Sequence, residues 1–207
     1  MLKELKLYSN NISEIKDLSN LKILEELDLS VNYLSNIDFV SNLVQLKELD
    51  IRGNNVSKID ALMPLTNLIK LDVSSNNIKD ITAIANNTKL KSLNLDDNCI
   101  TTISSLAKLI NIEYLSMYDC KVKNLTPISS LTKLTYLEIG NNLVRDLKAV
   151  TKLVKLEDLL LNRNLVTDLS PISSLVNLEY LWIAKNPVIN FSSVINSLNL
   201  KTCKGCN

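Results

Sequence analysis

The chain has 207 residues and a formal net charge of +1, so its overall charge does not point to nucleic acid or to a membrane surface. It contains no histidine, which excludes the catalytic and metal sites that depend on imidazole. Three glycines are too few for a phosphate-binding or dinucleotide-binding loop. We therefore expect no cofactor, no metal and no enzymatic activity.

A repeat of 22 residues runs through the sequence without insertion or deletion. Each unit has seven persistently apolar positions, and the fourth position is leucine in all nine units. Aromatic residues make up only 4% of the chain, so the core formed by these positions must be aliphatic. The nine units begin at Leu2, Leu24, Leu46, Leu68, Leu90, Ile112, Leu134, Leu156 and Leu178.

The ninth position of each unit is asparagine, with Cys120 as the one exception. This pattern matches the template L-x-x-L-x-L-x-x-N/C-x-L, so the chain resembles the leucine-rich-repeat family over its whole length. The 22-residue unit, with Pro127 and Pro171 on the returning side, is most similar to internalins and to the leucine-rich regulatory subunits of serine/threonine phosphatases.

The pattern predicts an α/β solenoid of about nine repeats, coiled right-handed. Positions three to five of each unit form a short strand, and the strands pair in parallel on the concave side. Positions 14 to 20 return along the convex side as 3₁₀ or irregular chain. We assign residues 1–199 to the solenoid, and residues 200–207 to an incomplete tenth unit or a C-terminal tail.

The N-terminal half of the concave face is acidic. Alternation along each strand sends positions three, five and seven outward, and position eight follows on the same face. Over all nine units these positions carry eleven acids and five bases, a net charge of −6, on a chain that is +1 overall. One interpretation is a surface that steers a basic partner, with Asp28, Asp50 and Asp72 among the contact residues. The other is that a strand surface simply has to be polar.

The C-terminal half of the concave face is aromatic. The aliphatic positions already fill the core, so these side chains predict a binding patch on the inner curve. Stacking between neighbouring strands is the alternative explanation. The predicted partner-binding residues here are Tyr114, Tyr118, Tyr136, Glu138, Asp158, Leu160, Tyr180 and Trp182.

Two cysteines lie near the C-terminus, Cys203 and Cys206, with the spacing of a zinc or redox pair. In register, however, Cys203 falls on the inward fourth position of a tenth unit, which favours a small core residue over a metal site or a disulfide. Neither end carries an obvious cap, so open strand edges would allow self-association.

The leading functional prediction is a protein-interaction module that binds a partner with a basic and apolar surface. It could be a regulatory scaffold for an enzyme such as a phosphatase, or a fragment of a bacterial surface adhesin similar to internalins. An enzyme using carboxylates such as Asp72 and Asp96 is disfavoured, because an open sheet encloses no pocket. The scaffold would be cytoplasmic or nuclear. The adhesin would be at the cell surface after loss of a leader.

Overall fold

Ten short strands form one parallel sheet in chain order. The computed structural model describes residues 2–189, 194, 198 and 200–206. Each strand covers the third to fifth positions of its unit, as the alternation predicts. The strands are β1 (Glu4–Lys6), β2 (Glu26–Asp28), β3 (Glu48–Asp50), β4 (Lys70–Asp72), β5 (Ser92–Asn94), β6 (Tyr114–Ser116), β7 (Tyr136–Glu138), β8 (Asp158–Leu160), β9 (Tyr180–Trp182) and β10 (Thr202–Lys204).

The register of the sheet equals the length of the repeat. Leu27 pairs with Leu49 and Leu49 with Leu71, each 22 residues further along the chain. These leucines are buried, whereas their neighbours on either side within the strand remain partly or fully exposed. The register therefore stacks identical positions and leaves positions three and five on the open face.

The convex side is built from single turns of 3₁₀ helix. Pro127 and Pro171 lie in the first turn of their helices, where a residue without an N–H is tolerated. In the described part of the chain these helices are Asp38–Val40, Asp60–Leu62, Thr82–Ile84, Ser104–Lys108, Thr126–Ser130, Lys148–Lys152 and Ser170–Ser174. The predicted α/β solenoid with a parallel sheet and a 3₁₀ convex side is confirmed.

The asparagine ladder holds neighbouring units together. Asn54 Nδ2 donates to the carbonyls of Ile51 (2.9 Å) and Leu29 (3.0 Å), one in its own unit and one in the preceding unit. Its Oδ1 accepts from the N–H of Leu34, also in the preceding unit, at 2.9 Å. Asn54 thus satisfies buried backbone groups in two units, which a solenoid must do wherever the chain leaves the sheet.

Cys120 interrupts this ladder. Its Sγ contacts the carbonyl of Leu95 at 3.4 Å, but a thiol has no oxygen to offer the N–H of Ile100. Burial raises the pKa of this thiol to about 12, so it is a neutral core group. The unit beginning at Ile112 therefore docks onto its predecessor with fewer strong hydrogen bonds than the others.

Position eight of every unit adopts left-handed backbone, which the sequence pattern did not predict. The φ angles there lie between 50° and 63° across the nine units. Gly53 and Asn141 suit this region, but Val31 does not, because a β-branched side chain is strained there. The left-handed residue turns the chain out of the strand and into the asparagine turn.

Residues 200–206 continue the coil. β10 pairs with β9 in the same register, with Cys203 opposite Leu181. Cys203 occupies the inward position that the repeat predicts and packs partly against the core. It is also bonded to Cys206, so the expectation against a disulfide was wrong.

Candidate functional site: the concave face

Two rows of acids lie side by side in register on the N-terminal half of the concave face. These acidic rows are Glu4, Glu26 and Glu48 at position three and Asp28, Asp50 and Asp72 at position five. The aspartates fix the backbone just after each strand through hydrogen bonds. Asp72 Oδ1 accepts from the N–H (2.9 Å) and the hydroxyl (2.6 Å) of Ser74, and Asp28 bonds Ser30 in the same way. These acids therefore have a structural role that is independent of any partner.

Bases on the same face offset much of the charge of the acidic rows. Lys6 pairs with both Glu4 and Glu26, and its Nζ lies 3.1 Å from Glu26 Oε1. Arg52 Nε lies 3.6 Å from Asp50 Oδ2. Lys70 Nζ lies 3.9 Å from Glu48 Oε2. The predicted steering surface is therefore more nearly neutral than its count of acids suggests.

Asp50 occupies the middle of the aspartate row. Burial raises the pKa of its carboxyl above the ordinary value, and the charges of Asp72 and Asp28 raise it further. The N–H of Arg52 donates to Asp50 Oδ1 at 3.0 Å and lowers the pKa in part. Stacked aspartates thus repel one another, as expected for like charges on adjacent strands.

A second group of side chains lies on the same face in units six to nine and is called the aromatic patch. It consists of Tyr114, Tyr118, Tyr136, Leu160, Tyr180 and Trp182. All six side chains are half-buried rather than freely exposed. The Tyr114 and Tyr136 rings stack with centroids 4.4 Å apart and planes 10° apart, so cross-strand stacking does occur. The stack covers one ring face of each of these two tyrosines, which accounts for part of their burial.

A lysine from the tenth unit lies against the far end of the patch. Lys204 Nζ is 5.2 Å from the Trp182 ring centroid and 5.5 Å from that of Tyr180. Both distances are within the range of a cation–π interaction. The sequence analysis did not include Lys204, although its place at position five of an incomplete unit was a usable signal.

Two acids lie among these rings. Asp158 pairs across the sheet with Tyr136 on one side and Tyr180 on the other. Glu138 is only 7% exposed, and its Oε1 accepts from the N–H of Gly140 at 2.6 Å. Within the described part of the chain, neither acid forms an ion pair with a lysine or arginine.

Glu138 has the most perturbed carboxyl on this face. Burial raises its pKa from 4.5 to about 7, the bond from Gly140 opposes that shift, and the charge of Asp96 adds to it. Asp96 is itself held by Ser116, whose hydroxyl donates at 2.6 Å, and by the N–H of Tyr118 at 2.6 Å. Burial raises the pKa of Asp96 as well.

Gly140 and Asn162, which the sequence analysis missed, explain why Glu138 is buried. Gly140 provides the space into which the Glu138 carboxylate folds, and Asn162 lies beside it in the next unit. A glycine at position seven, where the other units carry larger side chains, was the only sequence signal. The structure therefore joins Glu138 to a cluster that spacing alone did not define.

A family model described as leucine rich repeats matches residues 24–64, 66–108 and 110–152. The chain belongs to the leucine-rich-repeat family. Among proteins of curated function, none matches it by sequence. The fold is typical of non-enzymatic scaffolds, and its relatives support a protein–protein interaction module.

Solved structures show the same architecture. Internalin C2 from Listeria monocytogenes is 32% identical, with a TM-score of 0.80 over 83% of this chain and 76% of that one. An internalin, inlF, from the same organism is 29% identical, with a TM-score of 0.78 over 96% of this chain and 66% of that one.

A more distant structure, a complex of TLR13 with ssRNA13, is 27% identical, with a TM-score of 0.73 over 90% of this chain and 29% of that one. The two internalin structures confirm the predicted resemblance to internalins. In the described residues, no helix combines the length and hydrophobicity needed to cross a membrane.

Proposed function

We propose that this chain is a protein-binding module of the internalin type, which binds its partner on the concave face through the aromatic patch. The observation that carries the proposal is the cluster of half-buried rings around two acids without ion pairs. Aromatic side chains of this kind supply large contact area at low cost in side-chain entropy. The partner is a protein that offers apolar and basic side chains.

The acidic rows contribute less in this proposal than the sequence suggested. Their carboxylates are engaged with backbone N–H groups, serines and nearby bases, so they stabilise the sheet first. Asp28, Asp50 and Asp72 act as a peripheral part of the surface that favours approach of a basic partner. A polyanion such as nucleic acid would be disfavoured by the excess of acids over bases on this face.

The relatives support one of two candidate biological settings for this module. Similarity to internalins favours an adhesin that meets its partner at a cell surface. A regulatory scaffold for an enzyme such as a phosphatase, in the cytoplasm or nucleus, is the second candidate. It is supported by Trp182, the last residue of β9 and the fifth position of its unit, which resembles the aromatic position of the phosphatase regulatory subunits.

A displayed library of random peptides tests the binding surface before any natural partner is identified. Peptides selected on the wild-type chain should bind Tyr136→Ala and Trp182→Ala at least fivefold more weakly, which corresponds to about 1 kcal/mol. Tyr33→Ala is the matched control, because Tyr33 is 58% exposed and lies outside the patch. Peptides that bind all three variants as well as wild type would refute the assignment.

A further inference from the structure

Three side chains surround one point on the concave face at Gly140. A Cβ atom on Gly140 would lie 2.6 Å from Glu138 Oε1, 2.8 Å from Asn162 Oδ1 and 3.1 Å from Tyr118 Cδ2. Two acceptor oxygens and one aromatic edge are thus packed closely over Gly140, and this cluster is called the notch. The notch lies inside the aromatic patch, next to Leu160, which pairs with Glu138 across the sheet.

Both acceptors are short of donors. Asn162 is 3% exposed, and in the described part of the chain its Oδ1 has no hydrogen-bond partner. Glu138 Oε1 accepts only from the N–H of Gly140. A buried acceptor without a donor costs free energy, and a buried carboxylate without a cation costs more. The notch is therefore incomplete as a hydrogen-bonding unit.

The charge of the notch is also unbalanced. Burial and the neighbouring charge of Asp96 raise the pKa of Glu138 to about 7, because no base compensates the carboxylate. The contrast with the acidic rows is direct, since Lys6, Arg52 and Lys70 lie among those acids. A cationic donor brought by another molecule would relieve both the missing hydrogen bond and the uncompensated charge.

We propose that Glu138 and Asn162 form the recognition point for a guanidinium group, supplied by an arginine side chain of the partner. This inference rests on the proposed function and names the chemistry that the partner presents there. A guanidinium carries five N–H donors in one plane, so it can serve two acceptors and still lie against a ring such as Tyr118. Lys204, already placed against Trp182 and Tyr180, shows that the neighbouring rings accept a cation.

The test uses N-acetyl-arginine amide as the probe and ¹⁵N NMR of the intact chain as the readout. The Gly140 amide and the Asn162 side-chain amide should shift in a saturable way, with a dissociation constant of about a millimolar. Glu138→Gln should weaken that binding at least about fivefold, because it removes the charge that strengthens the hydrogen bonds. Glu14→Gln, which makes the same change at an exposed carboxylate outside the concave face, is the control and should bind as wild type does.

Asn162→Asp provides a gain that a purely structural role would not produce. A second carboxylate facing Glu138 should tighten binding of the arginine probe by at least about threefold. N-acetyl-lysine amide should bind more weakly than the arginine probe to every variant. An equal response to the two probes, or shifts centred on Asp28 and Asp72, would overturn the assignment.

The outcome separates this inference from the proposed function. Selected peptides that lose binding to Trp182→Ala but not to Glu138→Gln, and that lack arginine, would leave the binding module intact and remove the guanidinium site. Binding of the arginine probe at Gly140, with no peptide selected from the library, would support the guanidinium site and count against the proposed binding module. Unchanged shifts in the first four units would show that each variant remains folded.

Discussion

The two halves of the concave face use acids in different ways. In the N-terminal half, Asp72 bonds the backbone and hydroxyl of Ser74, and bases lie within reach of neighbouring acids. In the C-terminal half, Glu138 is buried among rings without a base, and Asp158 lies between two tyrosines. Counting charges in the sequence does not show which acids have a base nearby, and this compensation affects where an added cation binds favourably.

The largest test of this contrast is the pH dependence of Glu138. The carboxyl titrates near 4.5 when unfolded and near 7 when folded, so the folded chain binds a proton that the unfolded chain has lost. The contribution of Glu138 to stability is therefore fully present below about pH 4.5 and is lost as the pH rises through 7. The gap between the two pKa values corresponds to about 3 kcal/mol.

Glu138→Gln should remove that loss, since its amide imitates the protonated acid and keeps an oxygen for Gly140. Urea denaturation should show the variant about 3 kcal/mol more stable than wild type near pH 8.5, and equal to it near pH 4. Glu138→Ala is the control, which loses the pH dependence but also the acceptor for the Gly140 N–H. Parallel curves for wild type and Glu138→Gln would show that the buried carboxylate is compensated after all.

A second test compares one glycine from each half. Gly140→Ala should cost about 2 kcal/mol, because the new methyl group would overlap both Glu138 and Asn162. Gly53→Ala should cost about 1 kcal/mol, because its φ of +63° disfavours a side chain although its nearest neighbours are 3.6 Å away. Equal losses in chemical denaturation would mean that the notch can expand to accept a methyl group.

The boundary between the halves offers a stabilising change. Cys120→Asn should raise the free energy of unfolding by about 1 kcal/mol, because an amide oxygen accepts the Ile100 N–H more strongly than sulfur does. Cys99→Asn, one position away in the preceding unit, is a control that should not stabilise the chain. A destabilised Cys120→Asn variant would show that this coil has closed around the smaller thiol.

The fold was predictable because every repeated position recurs at the same interval of 22 residues. Nine leucines at position four, 22 residues apart, leave one way to stack the strands. The notch was not predictable, because it depends on an exception: Gly140 matters only since Glu138 folds over it and Asn162 closes the far side. The left-handed backbone at Val31 was not predictable either, because its φ angle is set by the turn after the strand and not by the type of residue.

A smaller effect is expected from the stacked tyrosines. A double-mutant cycle of Tyr114→Leu and Tyr136→Leu should give a coupling of about 1 kcal/mol in the free energy of unfolding. Leucine keeps apolar contact area and removes only the ring pairing. A coupling near zero would mean that the ring pair does not stabilise the fold, which would leave binding as the role of both tyrosines.

The smallest effect should come from the acidic rows. Lys6→Gln breaks the pairs with Glu4 and Glu26, yet these side chains are exposed, and exposed ion pairs add little to stability. We expect no measurable change in the denaturation midpoint at physiological salt, whereas peptides with basic residues should associate faster with the variant because the face has become more negative. Stopped-flow association at two salt concentrations measures this, with Lys58→Gln as the control on a separate exposed surface. A variant that unfolds easily but binds at an unchanged rate would mean that these pairs hold the sheet and steer nothing.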